Sequence, residues 1–551
     1  MPDRRCQRGP GRLPQRPQGT GAADVRRPDG DPPGRPAGLW PVAGSPGAGQ
    51  HPVVPEPQWH RPRAVRRRQF QPRLRPIHDR PARPGPRPGL QPRGGAVRRP
   101  RPLGFHRCPG LRHPLRARPV PVADRPGQRP GLPRPARPGP LPRCPRELVM
   151  IQDREYLARR QRLQHLLVRQ GARHFVATAS DSIYYLCGAS FEALERPFFL
   201  ILSTNGELRF IVPLLERDHL KKARVIDPEQ IHCYRDYPAP DGQCWRSALL
   251  EYSGLEPGFI FEDSCPSALA QFLGELGGRH QSLVERLRQV KSPDEIQMIR
   301  HAARYADQGV RELLRQSYYG ATVAEGFARN SKVMQAIIRE TPDWDALSTR
   351  VLMVSFPAPL SAKPHSVPAV DDRLLEGPHV ALVLTRVNGY AAESERTYFT
   401  APPRPEERQL FDLMVRARQL GLSLLRPGRP CAEIDARVNQ FLAAQGMGDP
   451  QQRLHRIGHG FGLGNHEGPW LAEGSEDVLE AGMVVSIEPG LYIEGCGGYR
   501  HSDTVLITHD GYELLTRAPG VEEPLVLRRR GLGQRLYGHL VQRSLGIAGR
   551  S

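Results

Sequence analysis

From Asp153 to Gly171, DREYLARRQRLQHLLVRQG, apolar residues recur at helical spacing and a glycine ends the run, which predicts a helix. The short apolar runs HFVATA, SIYYLCG, PFFLILST and ELRFIVP follow and read as strands, the last two joined by the Asn205-Gly206 turn signal. Their alternation with helical stretches such as CPSALAQFLGELGG predicts a first α/β domain over residues 150–290. In KSPDEIQMIRHAARYADQGVRELL, Ser292 suits an N-cap, Pro293 the first helical turn and Glu295 the third position of a capping box. A long amphipathic helix is therefore expected to open a second domain over 292–526, leaving 527–551 as a basic tail.

Within the second domain, HVALVLTRVNGYAAESERTYF predicts a hairpin turning at Asn388-Gly389, because both residues tolerate the positive φ of a tight turn. Glu393 and Glu395 stand two apart on its second strand and share one face. VVSIEPGLYI places Glu488 between an apolar strand and a proline, and GGYRHSDTVLIT reads as one further strand. GHGFGLGNHEGP sets His459 and His466 seven residues apart among five glycines, and AKPHSVP offers His365 in a proline-flanked loop. Each feature has a plainer alternative: two glutamates on a solvated strand edge, a hydrogen-bonded core histidine, a structural carboxylate, a turn-rich loop. A phosphate loop is excluded, since no GK[ST] follows the glycines.

Composition divides the chain. The formal charge is +22, yet residues 1–146 hold 32 Arg, no Lys and only 7 acidic residues, leaving 47 basic against 50 acidic beyond them. The same 146 positions contain 35 Pro and 19 Gly, too little apolar surface to offset the chain entropy of folding. The segment 1–147 is read as disordered, either a basic, proline-rich arm for nucleic acid or acidic partners or, preferably, a GC-rich upstream region translated together with a protein that starts at Met150. No nucleic-acid partner is expected for the rest. No apolar run reaches a membrane span and none reads as a secretory signal. Nine cysteines occur without CxxC pairs, three of them (Cys6, Cys108, Cys144) in the Arg/Pro-rich segment; the remaining six fit reduced thiols, so a cytoplasmic location is expected.

The motifs PHS, GYAAESERT, HRIGHGFGLGNHEGP, AGMVVSIEPGLY and GGYRHSDTVLIT, in that order, resemble the creatinase/aminopeptidase P/prolidase family over about residues 150–526. The resemblance implies a mixed α/β (α+β) chain, a creatinase-like amino-terminal α/β domain followed by a pita-bread catalytic domain. It also implies a homodimer. Peptidases of this family bind two divalent metals through two Asp, one His and two Glu. Carried over, the His slot is His459, one Glu slot is Glu488, and one Asp slot is occupied by Glu393. The other Asp slot falls near Leu382 and the last Glu slot on Ser502. His501 and Asp503 flank that empty slot, but on a regular strand they point to its opposite face.

A dinuclear centre without two of its carboxylates lacks the negative charge that holds two cations together. The expectation is one divalent ion (Mn, Co, Zn or Fe) held by Glu393, His459 and Glu488, or none. The implied activity is hydrolysis of C–N bonds in a peptide or small amide, Xaa-Pro aminopeptidase- or prolidase-like. His365, His466, Glu488 and Glu395 are then the catalytic candidates, and His455 and Arg500 wall residues that contact substrate. Two other readings stand beside it: a metal-independent amidohydrolase resembling creatinase or ectoine hydrolase, in which His365 handles the proton, and a non-catalytic pita-bread binding module.

Overall fold

The computed structural model describes residues 150–547 apart from 193, 237 and 529. The Arg/Pro-rich stretch 1–147, and the expectations that fall on it, lie outside the described residues.

The first part runs α1 (Asp153–Arg169), β1 (His174–Ala177), α2 (Ser180–Cys187), β2 (Phe199–Ser203), β3 (Leu208–Pro213) and β4 (Ile231–Tyr234). It continues with α3 (Trp245–Tyr252), β5 (Ile260–Phe261), α4 (Ser267–Glu275), β6 (Arg279–His280) and α5 (Leu283–Gln289). Its six strands form a mixed sheet ordered β4-β3-β2-β1-β5-β6. The run SIYYLCG, expected as a strand, is the body of α2. Tertiary packing overrides its β-branched and aromatic content: Ile183, Tyr185, Leu186 and Cys187 are buried, and Gly188 closes the helix in the left-handed region at φ 70°.

The second part opens at α6 (Pro293–Gln316), where the capping box forms: Ser292 Oγ accepts from the Glu295 amide while Glu295 accepts from the Ser292 amide. Then come α7 (Val323–Phe327), α8 (Asn330–Glu340), β7 (Arg350–Phe356), β8 (His379–Val387), β9 (Tyr390–Phe399), α9 (Pro405–Leu424) and α10 (Cys431–Ala444). The strands β10 (Gly458–Gly460), β11 (Glu467–Leu471), β12 (Val484–Ile487), β13 (Gly490–Ile493), β14 (Gly497–Arg500) and β15 (Ser502–Ile507) follow. Finally β16 (Tyr512–Leu514), β17 (Leu525–Val526) and α11 (Leu532–Ser544) complete the described chain.

Seven strands lie in the order β11-β10-β12-β15-β9-β8-β7, with β16 on β15 and β17 on β9. The hairpin β8–β9 turns at Asn388 (φ 43°) and Gly389 (φ 87°), as its sequence requires. GGYRHSDTVLIT is not one strand: it breaks at His501, so that β14 pairs β13 in a small separate ribbon and β15 enters the large sheet. The break has a polar anchor, since His501 Nδ1 accepts the Thr397 amide at 3.1 Å while its ring meets Phe411 edge-on. The basic tail contains α11, which packs on α7: Gln542 donates to the buried Glu325 at 2.7 Å, and a Cβ on Gly538 would collide with that carboxylate.

Helix α6 covers the back of β8 and β9, with Thr385 Oγ1 donating to Ala302 O at 2.9 Å. The two parts share one apolar core containing Leu163, Phe175, Ala302 and Val383. Arg159 of α1 crosses into the second part, donating to Tyr185 O and to Tyr390 Oη.

Behind β9 and β15 lies a fully buried ion group. Asp503 accepts from Arg396 Nη2 at 2.7 Å, from Arg418 Nε at 2.9 Å and Nη2 at 2.5 Å, and from Thr516 Oγ1 at 3.0 Å. Asp503→Asn strands two buried guanidinium groups and should cost about 3–5 kcal/mol of unfolding free energy in denaturant titrations; a loss below about 1 kcal/mol contradicts this role.

Buried His379 is neutral by construction: Nδ1 accepts the Ala358 amide at 3.0 Å and Nε2 faces Leu375 O at 3.0 Å. Burial pushes its pKa down to about 4. Below the unfolded value near 6.5 the unfolded chain binds the proton and the native one does not, so its contribution, at most about 3 kcal/mol, is present above that pH and lost toward pH 4. His379→Gln should flatten the pH dependence of unfolding between pH 6.5 and 4.5; an unaltered slope rules this out.

Candidate functional site

The period-two alternation of β9 sends Glu393 and Glu395 to the open face of the sheet, while Ser394 and Arg396 face the packed side. Register then sets their neighbours. Ser502 of β15, Glu395 of β9 and Leu382 of β8 form one row across three strands, and Leu384 stands opposite Glu393. The two slots where the family resemblance calls for carboxylates, Ser502 and Leu382, thus flank a carboxylate, Glu395, in the middle of the row.

His459 is held from both sides. Its amide donates to Ser486 Oγ at 2.9 Å, and its Nδ1 lies 3.1 Å from Gly460 O, which directs Nε2 toward Glu488 Oε1 at 3.1 Å. The glycines permit this approach: a Cβ at Gly458 would strike Ser486 O, and one at Gly460 would strike Gly468 O. Glu488 sits just beyond β12 and also accepts from Ser486 Oγ at 3.3 Å. The His466 ring packs against His459 with centroids 4.2 Å apart.

Glu393, Glu395, Glu488, His365, His455, His459, His466 and Arg500 all line one cavity of about 720 Å³. His365 and His466 are exposed at it, whereas Glu393, Glu395, Glu488, His459 and Arg500 are buried in its floor. His501 and Asp503 face away from it, engaged by Thr397 and by the two arginines, so neither refills the empty slot.

Arg500 clamps Glu395 with two hydrogen bonds, Nε to Oε2 and Nη2 to Oε1, the latter 2.6 Å. Burial opposes the Arg500 charge, but Glu395, Tyr492 and Glu488 hold its pKa well above the ordinary arginine value. Arg500 Nη1 also donates to Tyr492 Oη at 3.2 Å, and Tyr492 lies 2.6 Å from His455 Nε2. Because His455 Nδ1 faces Arg456 O at 2.7 Å, Nε2 is the acceptor for the Tyr492 hydroxyl. Tyr492 was missed in the sequence, although it stands in the quoted EPGLY motif; only the fold brings β13 against His455. Leu384, Phe327 and Leu352, also lining the cavity, carried no chemical signal that could have found them.

The carboxylates differ in state. Burial and then the Glu488 charge push Glu393 up. Burial works the same way on Glu488, but the bond to His459 and its charge hold Glu488 well below the usual carboxylate range. His459 is raised: burial lowers it, and Glu488 more than reverses this. Burial and the neighbouring His459 push His466 down to about 4, leaving it neutral near pH 7.

Among the described residues, two groups with metal-ligand spacing include Glu393, one with His459 and His466 and one with Glu395 and Glu488, the ligand atoms of each lying within 4.8 Å of one another; Glu393, His459 and Glu488 are joined across the two groups by the 3.1 Å contact of His459 with Glu488. Glu393 Oε1 is buried without a hydrogen-bond partner. Charge sets the capacity. Arg500 occupies both oxygens of Glu395, so only Glu393 and Glu488 are left to balance a cation, enough for one divalent ion and not two. The donor set fits a single ion.

Residues 297–509 match the model of metallopeptidase family M24, and residues 159–289 that of the creatinase/prolidase N-terminal domain. An uncharacterised peptidase of Staphylococcus aureus (strain MRSA252) is 29% identical over 343 residues, 62% of this chain and 93% of that protein. The structure is similar to dipeptidase PepE from Mycobacterium ulcerans, with TM-score 0.59 and 27% identity over 69% of this chain and 100% of that one. The prolidase from Pyrococcus horikoshii OT3 shares the fold, with TM-score 0.55 and 23% identity over 66% of this chain and 98% of that one. M24 peptidases typically use divalent metals, in keeping with the carboxylate and histidine groups of the cavity. Residues 159–289 and 297–509 therefore form a creatinase-type N-terminal domain followed by an M24 metallopeptidase domain of pita-bread fold, the architecture of a creatinase/prolidase-like hydrolase of peptide bonds.

Proposed function

We propose that the chain is a prolidase-like hydrolase that cleaves the C–N bond of Xaa-Pro peptides or related amides at a mononuclear metal site. The observation that carries this reading is the convergence of Glu393, His459 and Glu488 in one cavity with an unpartnered carboxylate oxygen and charge for one divalent cation. Residues 292–526 then form the catalytic domain, 150–290 the creatinase-type domain and 527–551 a tail. A cytoplasmic homodimer belongs to the same reading.

Glu393, His459 and Glu488 would hold the ion, which when bound polarises the scissile carbonyl and lowers the pKa of water. His466, neutral and beside His459, is suited to take a proton from the attacking water. His365, exposed across the cavity, is suited to deliver one to the departing nitrogen. Glu395 serves by holding Arg500, and that pair, with Tyr492 and His455, forms a hydrogen-bonding wall that orients the substrate's polar end.

Elemental analysis of protein purified without chelators or a histidine tag should find about one divalent ion per chain, reduced in Glu393→Gln and His459→Ala. Two ions per chain would mean that an unrecognised ligand bridges them, and a folded, metal-free but active protein would replace this reading with the creatinase-like one. In turnover assays on an Xaa-Pro dipeptide panel, His365→Ala should lower kcat by roughly 10²-fold or more with KM little changed; a loss of only a few-fold removes His365 from proton transfer.

A further inference from the structure

We infer that the apolar half of this cavity is a substrate subsite for a large uncharged group, an aromatic or long aliphatic acyl or side chain next to the scissile bond, and that Leu382 determines this preference. The inference deepens the hydrolase reading above and rests on it for the identity of the cavity.

The cavity is chemically two-sided. Apart from His365, its ionisable residues come from β9, from β10 and the loops around it, from the segment after β12 and from β14. Toward the other edge of the sheet the same open face is carried by Leu382 and Leu384 of β8 and by Leu352, Val354 and Phe356 of β7. Val323 and Phe327 of α7 line it from one side, and Val367 and Val370 of the loop that carries His365 line it too. No charged residue contributes to the lining from α7, β7 or β8 among the described residues.

This apolar surface is bare. Phe327, Leu352, Val367 and Val370 are between 49% and 91% exposed, and all four line this one cavity. Large apolar residues clustered in water raise the free energy of the empty site, which an apolar ligand relieves. The opposite packing of β7 and β8 is saturated: Met353 and Val383 are fully buried, and Gly309 of α6 sits so close that an added Cβ would lie 2.5 Å from Val383 Cγ1. Only the cavity face is left to bind anything.

The row Ser502–Glu395–Leu382 shows why the group must be neutral. A substrate ammonium over β8 would meet leucine where an acid is needed, and the nearest acid in the row, Glu395, already has both oxygens bonded to Arg500. Glu393, opposite Leu384, is committed to the metal in the reading above, so a cation placed there loses its hydration without a partner. The face is continuous with the carboxylates one strand away, so an apolar group lying on it keeps the adjoining amide within reach of Glu393 and His459.

The test uses the full chain and a neutral fluorophore, 1-N-phenylnaphthylamine, displaced by acetyl-, butanoyl-, hexanoyl- and octanoyl-proline. Affinity should rise about threefold to fourfold per methylene over the series. The probe 8-aminooctanoyl-proline, whose far end is an ammonium, should bind at least tenfold more weakly than octanoyl-proline. Leu382→Asp should weaken octanoyl-proline at least tenfold and narrow the gap to the amino analogue. Leu352→Asn, a change at a half-exposed position on the same wall, should lower the slope per methylene if the first variant fails to fold. Leu250→Ser, at an exposed leucine outside the cavity, should leave every value unchanged. Affinity that is flat with chain length, or equal for the charged and uncharged octanoyl ligands, overturns the inference. Turnover of Xaa-Pro peptides alongside flat affinities would overturn the subsite alone, whereas a steep chain-length dependence with no turnover of any amide would overturn the hydrolase reading and leave the subsite standing.

Discussion

The buried group formed by Arg396, Asp503 and Arg418 is the constraint on which the site depends. It lies on the packed side of β9 and β15, and Arg396 also donates to Ser502 O and to Ala518 O, tying both strands and the following loop together. A strand slipped by one residue would exchange its faces, sending Glu393 and Glu395 into the packed side and Ser394 and Arg396 into the cavity. Moving either charged partner alone would leave a buried charge uncompensated, a far larger penalty than the net worth of the pair in place. Thr504 adds a second pin, with its Oγ1 accepting the Glu393 amide and donating to Glu393 O, each at 2.9 Å.

With the register held, substitutions in one row redefine the chemistry. Where the resemblance expects acids on β8 and β15, the chain has leucine and serine, and it carries an acid between them. That acid is paired with Arg500. Such a cluster holds less negative charge than a dinuclear centre needs, yet the carboxylates of Glu393 and Glu488 remain beside His459. The opposite shifts of Glu393 and Glu488 follow: the histidine stabilises the charge of its direct neighbour, and the other carboxyl, buried beside that charge, resists ionisation.

The large sheet presents two surfaces on one face, apolar over β7 and β8 and ionisable from β9 through β12 to β10. The helix α7 that closes the apolar side is a five-residue piece, too short to hold its position by local propensity alone. It is braced by Glu325, whose carboxylate receives Tyr318, Gln316, the Thr322 amide and, from α11, Gln542. The carboxyl-terminal helix thereby contributes to the shape of the cavity without touching its chemistry.

Local chemistry made much of this legible beforehand. The capping box at Ser292, the Asn388-Gly389 hairpin, the shared face of Glu393 and Glu395 and the two histidines among glycines depend on residues a few positions apart, whose spacing survives in any reading of the chain. The exception proves the limit: SIYYLCG has strand composition and is a helix, because its burial against neighbouring elements outweighs its propensity. The break at His501, the clamp of Arg500 on Glu395, the partnership of Tyr492 with His455 and the apolar wall around Leu382 were invisible, since each joins segments far apart in the chain. The sequence by itself determined which side chains carry charge and on which face of their own strand they lie; the tertiary structure alone decided which of those charges meet, because pKa, pairing and capacity for a metal depend on distance and burial, and neither is written in the order of residues.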